Sequence, residues 1–428
     1  MAMIPSGGLT GQHGPARATA YGWLVFALCF GLLISDYMAR QVLNAVFPLL
    51  KAEWSLTDSQ LGLLSGIVAV MVGLLTFPLS LAADRWGRVR SLTLMAILWS
   101  LATLLCAAAS GFGEMLVGRA LVGVGEAAYG SVGIAMVVSV FPQRLRATLS
   151  AAFMAGGLFG QVLGVALGGQ IAASHGWREA FLVIGLAGLA LGILFPLVVR
   201  EGRNRELAGV AEEAPDPPMG PALRSLVASR SVRLAYLGSG LQMFAAGALP
   251  AWLPSYLGRY YAMPVDRAAR AAALLLLICG TGMVLCGMLS DRLAADRPER
   301  KIALAIAYSL GTAVCLFAAF QLPVGPLQFA LIGLAMFLVA GTAGPAGAMV
   351  ANLTPLVVHG TAFATLTLAN NLIGLAPGPI LTGRLADAIG LQNALQLLPL
   401  PCVLSALAFA AMRRSYRSDL NGMRSQLS

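Results

Sequence analysis

Charge is scarce in this chain. Only 11% of its 428 residues are Asp, Glu, Lys or Arg, against about a quarter in an ordinary soluble domain, which excludes a water-soluble enzyme of this length. Histidine is scarcer still: His13, His175 and His359 stand in terminal or loop positions without ligand spacing, so no metal site is expected from them. The six cysteines (Cys29, Cys106, Cys279, Cys286, Cys315, Cys402) all fall in apolar stretches with no pairing pattern, which excludes a disulfide scaffold. Walker-type phosphate loops, metalloprotease motifs and the G-x-S-x-G elbow are all missing, which argues against an ATP-driven pump and against an enzyme. GVGEAAYG (123–130) has the glycines of a nucleotide loop but no strand before it. No cofactor is expected.

What fills the chain is apolar: 58% hydrophobic residues and a mean hydropathy of +0.81. A bilayer core of about 30 Å needs roughly 20 apolar residues per helix. Twelve such stretches occur, near 22–48, 58–82, 91–109, 113–140, 148–173, 178–199, 232–257, 268–290, 302–321, 327–354, 361–387 and 391–411. They predict an all-α polytopic membrane protein with no cleavable signal peptide. The long polar stretch 200–231, charged and proline-bearing, reads as a linker between two six-helix bundles, 22–199 and 232–411, with tails at 1–21 and 412–428.

An even number of spans puts both tails on one side, and basic residues decide which. Twenty of the 28 fall on the face of the tails and the linker, six (Lys51, Arg178, Arg259, Arg267, Arg270, Arg384) on the other, and two, Arg40 and Arg119, inside spans. By the positive-inside rule both tails are cytoplasmic, in a bacterial inner membrane. The net charge of +10 therefore orients the protein in lipid and does not point to nucleic acid.

The two halves repeat. SLAADRWGRVR (80–90) after span 2 is echoed by GMLSDR (287–292) after span 8. FPQRLRATLSAAFMAGGLFG (141–160) aligns with TPLVVHGTAFATLTLANNLIG (354–374), and GGQIAASHG (168–176) with TGRLADAIG (382–390). Two parallel repeats of six spans are a known transporter architecture.

On these residues the sequence resembles the major facilitator superfamily over about 20–411. The loop after span 2 is similar to that family's G-x-x-x-D-R-x-G-R-R/K signature through Asp84, Arg85, Gly87, Arg88 and Arg90, with Ser80 in place of the first glycine. DYMARQVLNAVFPLLKAEWSLTDSQLG (36–62) and GRALVGVGEAAYGS (118–131) resemble the spinster-like group, which includes sphingolipid and lysolipid exporters. The neighbouring organic-anion:cation symporters share much of the pattern. Such relatives carry Asn-Tyr-x-Asp-Arg in span 1; here Asp36 holds the Asn place and Ala39 the Asp place. The Gly-Pro pair associated with antiporters is missing from span 5, where Gln161 follows Gly160. The resemblance implies two six-helix halves related by a pseudo-two-fold axis and rocker-switch alternating access. It also implies a cytoplasmic gate made of Asp84, Arg85, Gly87 and Arg88 in one half and Asp291 and Arg292 in the other.

Ionisable groups at a span centre cost roughly 2.5–3.5 kcal/mol each and face cavities. Asp36, Arg40, Arg119 and Glu126 lie well inside spans, whereas Glu114, Arg384 and Asp387 sit near ends as interface anchors. At about 1.5 Å per residue, Arg119 stands level with Asp36 and Arg40, and Glu126 deeper. Asp36, Arg119 and Glu126 are therefore expected to form a proton-coupling network in which Arg119 pairs with Asp36. Arg40 and Arg119 also suit an anionic substrate group. In the second half Gln242, Asn352, Asn370 and Asn371, with Trp252 and Tyr256, are the candidate substrate-binding residues. The sequence thus predicts a monomeric, proton-coupled secondary transporter of an amphipathic or anionic small molecule, with a lipid-like substrate favoured. An organic-anion:proton symporter and a non-transporting sensor are the alternatives, and protons, the substrate and membrane lipids are the expected partners.

Overall fold

The computed structural model describes residues 19–200 and 229–427, apart from 296, 298, 356 and 357, and of the side chains all but 84, 143, 147 and 422–427. Most of the tail 1–21 and of the linker 200–231 lies outside the described residues. The first six spans are Ala20–Trp54, Asp58–Trp86, Arg88–Ala108, Phe112–Glu126 continued by Tyr129–Val140, Gln143–His175, and Trp177–Val198. Spans 7 to 9 are Arg230–Tyr260, Val265–Leu293 and Arg300–Gln321. Span 10 is Pro326–Val339 with Ala343–Asn352, and span 12 is Leu391–Gln396 with Pro399–Leu427. Span 11 is His359–Ala369, a wide π turn Asn370–Leu375, and Pro377–Ile389. Among the described residues, ten helical segments are long and apolar enough to cross a membrane. Spans 7 and 11 complete the twelve: one is diluted by Gln242, Pro250, Pro254 and Ser255, the other is divided at its π turn.

Breaks recur at matching places in the two halves. Span 4 is interrupted at Ala127–Ala128 and span 10 at Ala340–Thr342. The matched segments of spans 5 and 11 both end on a glycine with positive φ, Gly176 (+94°) and Gly390 (+84°). Side chains other than hydrogen avoid that conformation, so the repeat read from the sequence extends to its turn chemistry. Span 4 breaks without proline, whereas in span 10 Pro345 withholds the helical donor of the Gly341 carbonyl, inside the break. In span 4 the Ala127 carbonyl accepts instead from Thr76 Oγ1 (2.7 Å). The π turn does contain a reason: Pro377 and Pro379 withhold two helical donors, and Ala376 N reaches Asn371 O at 2.9 Å.

Span 5 grips span 1. A Cβ on Gly160 would stand 2.6 Å from the Ile34 carbonyl, and one on Gly164 2.8 Å from Met38 Cα. The glycine spacing of four therefore buries span 1 against its neighbour.

The face carrying Ala20 and Arg200 is here the linker face, and the opposite one the far face. On the linker face the C-terminal segment departs from expectation. The predicted tail 412–428 continues span 12 as helix to Leu427. Met412, Tyr416 and Leu420, four apart, extend an apolar stripe over Val232, Tyr236 and Ile302. Asp419 Oδ2 accepts from Ser229 Oγ (2.7 Å) and Ser231 N (3.1 Å), and Arg417 pairs with Glu299 at 2.5 Å, holding that carboxyl below its usual range.

Candidate functional site

Spans 1 and 4 bring the four intramembrane charges together. Asp36, Arg119 and Glu126 are 6%, 1% and 7% exposed. The break after Glu126 makes it the last helical residue of the first part of span 4. There it stands beside Asp36, close enough for the two carboxyl groups to interact. Arg40 attracts both acids. Asp36 Oδ1 and Glu126 Oε1 have no hydrogen-bond partner, so the pair is not satisfied by the protein around it. Two ionised carboxylates offer only acceptors, and a bond between them needs a proton on one.

Arg119 behaves differently from the expectation. Its Nη1 donates to the Ala39 carbonyl (2.8 Å) and its Nη2 to the Arg40 carbonyl (2.9 Å). The planar guanidinium fork spans two successive carbonyls of span 1, so no Arg119–Asp36 ion pair forms. Arg119 is level with residues 39 and 40, as its depth implies, while Glu126 is level with Asp36 and not deeper.

Next to this cluster, between the halves, lies a cavity of about 190 Å³. The N-terminal half lines it with Tyr37, Arg40, Gln41, Asn44, Ser65 and Gln161. Spans 7 and 11 supply Ala246, Gly247, Pro250, Leu375 and Pro379. A hydrogen-bonded chain crosses three spans of the polar wall. Ser65 Oγ donates to Asn44 Oδ1 (3.1 Å), Asn44 Nδ2 to Gln41 Oε1 (2.6 Å) and Gln41 Nε2 to Gln161 Oε1 (3.4 Å). Sequence reasoning missed these amides, although Tyr37, Gln41 and Asn44 follow one helical face and stand out as polar residues in an apolar run.

Of the substrate-binding candidates, Arg40 alone lines this cavity. Gln242 is buried inside the second half, donating to Thr312 Oγ1 and the Val339 carbonyl. Asn352 sits at the linker face near Tyr416. Asn370 accepts from Ser239, and Asn371 donates to the Thr367 carbonyl in the preceding turn of span 11. Trp252 donates to the Pro379 carbonyl (3.2 Å) and packs on Phe47. Tyr256 accepts from Gln328 Nε2 at the far face. Each of these side chains makes a hydrogen bond inside the second half, although Gln242 Oε1 and Asn371 Oδ1 are left without a partner.

The far face is fastened across the halves. Asp58 of span 2 takes a bidentate contact from Arg259 of span 7 (2.7 and 2.6 Å) and a third bond from Lys51 (2.6 Å). Asp387 of span 11 returns the gesture, accepting from the backbone N–H of Asp58 (2.7 Å) and Ser59 (2.8 Å). A carboxylate at a helix N-terminus satisfies donors that the helix leaves open. Asp387 is thus a cross-half cap and not the interface anchor expected. The candidate gate residues sit on the other face. There Asp291 pairs with Lys301 (2.8 Å) within its own half, Arg88 donates to the Ala135 carbonyl, and Arg85 and Arg292 are exposed. Gly87 turns the chain with φ of +92°, and the Asp84 side chain lies outside the described residues.

Residues 28–374 match the family model of the Major Facilitator Superfamily. A gallate transporter of Pseudomonas putida is 27% identical over 92% of this chain and 92% of its own length. Human protein spinster homolog 1 is 27% identical over 86% of this chain and 73% of its own. In fold, the chain is similar to a bacterial homologue of the human lysosomal transporter Spinster in an inward-facing, unoccupied conformation. The TM-score is 0.83 at 21% identity, covering 94% of this chain and 99% of that one. With twelve spans in two repeated halves and a family match over most of its length, the chain belongs to the Major Facilitator Superfamily of membrane transporters.

Proposed function

We propose that this protein is a proton-coupled symporter of a small organic anion, working by alternating access with the linker face in the cytoplasm. The observation that carries the reading is the double position of Arg40, which lines the cavity and also attracts Asp36 and Glu126. An anion arriving at Arg40 competes with the two acids for one guanidinium. The carboxyl pair, relieved of its countercharge, takes up a proton, and cargo and proton occupy the site together. The arginine excess on the linker face supports the orientation, and the Asp58–Arg259 and Asp387 contacts then close the outer side.

A cavity of about 190 Å³ is below the roughly 300–1,000 Å³ of drug-sized ligand pockets. Its polar wall of amides and hydroxyls favours a compact acid, and the gallate transporter among the relatives supports that class. A lipid-like cargo is the second reading, favoured by the spinster relatives, one of which is a sphingosine-1-phosphate transporter of Danio rerio. Uptake by proteoliposomes, with and without an inward pH gradient, distinguishes these readings. Hydroxybenzoates and sugar acids are expected to accumulate only with the gradient, and not in Arg40→Gln. Accumulation of lysolipid alone would favour the second reading; binding without movement would leave a sensor.

A further inference from the structure

On the outside of the second half, away from the cavity, an apolar seam ends in arginines. Spans 9 and 12 lie side by side, joined by a buried contact of 3.2 Å between Ser309 Oγ and Ser405 Oγ. Leu310, Val314 and Phe317 of span 9 stay exposed, as do Leu400, Leu404 and Leu407 of span 12. On span 12 that exposed face runs on toward the linker face as Leu407, Ala410, Arg414 and Arg417, three and four residues apart. At about 1.5 Å per residue, Arg414 stands roughly 10 Å beyond Leu407, so one helix face passes from the level of hydrocarbon to that of headgroups.

The start of span 9 meets these arginines. Glu299 Oε1 pairs with Arg417 Nε at 2.5 Å, and the guanidinium groups of Arg297 and Arg413 act on the same carboxyl. One carboxylate therefore stands among three cations. Arg417 remains 78% exposed in its ion pair. Arg297, Arg413 and Arg414 are exposed and have no ion-pair partner among the described residues. The positive-inside rule asks for basic residues on this face, but not for three of them gathered around one acid at the end of an apolar seam.

We infer that the linker-face end of the seam between spans 9 and 12 is a seat for an anionic phospholipid, its phosphate among Arg297, Arg413, Arg414 and Arg417 and its acyl chains on the leucines below. Guanidinium forks match phosphate oxygens, and basic pockets between membrane helices suit anionic headgroups. A zwitterionic lipid brings its own ammonium and leaves the excess positive charge unanswered. The seat does not depend on what the cavity carries.

The probes are phosphatidylglycerol and phosphatidylcholine with the same oleoyl chains, offered in equal amounts to the purified full-length protein. Native mass spectrometry counts the lipids retained. Phosphatidylglycerol is expected to be retained about tenfold over phosphatidylcholine. Arg413→Gln, Arg414→Gln and Arg417→Gln together should bring the ratio to about twofold or less. Arg90→Gln, Arg144→Gln and Arg200→Gln together, at exposed arginines of the first half on the same face, remove as much charge and should leave the ratio near tenfold. Equal retention of the two lipids by the wild-type protein overturns the seat. So does a ratio that survives the first triple variant or falls equally in both. If the first variant fails to fold, Arg413→Gln with Arg414→Gln decides, because it leaves the Arg417–Glu299 pair in place. A ratio lowered at least about threefold there supports the seat, and an unchanged one overturns it. Masses of paired chains free of lipid would give this face to a second copy of the protein and overturn the inference as well.

Discussion

At the scale of single residues, Arg119 and Arg40 divide the work that guanidinium groups do in this membrane. Arg119 is a fastener whose two bonds go to successive backbone carbonyls of span 1. Removing it leaves two buried acceptors and is expected to cost about 3 kcal/mol. Arg119→Ala should therefore lower the thermal midpoint in detergent, and Arg119→Lys should recover little of it because an ammonium cannot match the fork. Arg40 lines the cavity, and Arg40→Gln is expected to leave the midpoint near wild type while removing anion binding. The four intramembrane charges were legible because a charge in an apolar run is conspicuous. Their pairing was not legible. A depth estimate ignores how far an arginine reaches, and it ignored the break that ends the helix at Glu126. The amide and tryptophan candidates of the second half misled for a related reason: polarity marks a residue as needing a partner, but not whether that partner is a ligand or the next helix.

At the scale of elements, apolar run length located the spans themselves, but it missed the end of span 12, whose helix runs on to Leu427. The breaks were readable only where a residue type causes them. Pro377 and Pro379 announced the disturbance in span 11, and Pro345 stands just after the break in span 10, while span 4 breaks at two alanines and gives no warning. The glycine spacing in span 5 announced a close neighbour without naming it, and span 1 is that neighbour. Gly160→Ala is expected to force the pair apart and destabilise by about 1–3 kcal/mol. Gly113→Ala, at a position where a Cβ meets nothing within 4 Å, should be near neutral. Paired thermal denaturation curves check both. The walls of the cavity on spans 7 and 11 were illegible in principle, since alanine, glycine, leucine and proline carry no chemical flag.

At the scale of the whole molecule, the twelve-span, two-half architecture was legible from run lengths and from the internal repeat, whereas the far-face fastening was not. It joins residues 58 and 259 and residues 58–59 and 387, which lie close only once the halves have packed. Asp58 is buried, and its side chain holds two cations. Losing one partner of such a pair costs about 3–5 kcal/mol in that state. Arg259→Ala is expected to shift the population toward opening at the far face. Spin labels at Ser110→Cys and Leu327→Cys, on the far-face ends of the two halves, should then report a longer distance than in the wild-type background. An unchanged distance distribution would assign the contacts to local packing.

The central claim is that Asp36 and Glu126 carry the proton while Arg40 carries the anion. Gluconate counterflow and pH-driven gluconate accumulation, measured in the same proteoliposomes, test it most directly. Asp36→Asn and Glu126→Gln are expected to keep counterflow, which needs only exchange of cargo, and to lose accumulation. Accumulation at the wild-type level in both variants would contradict the account.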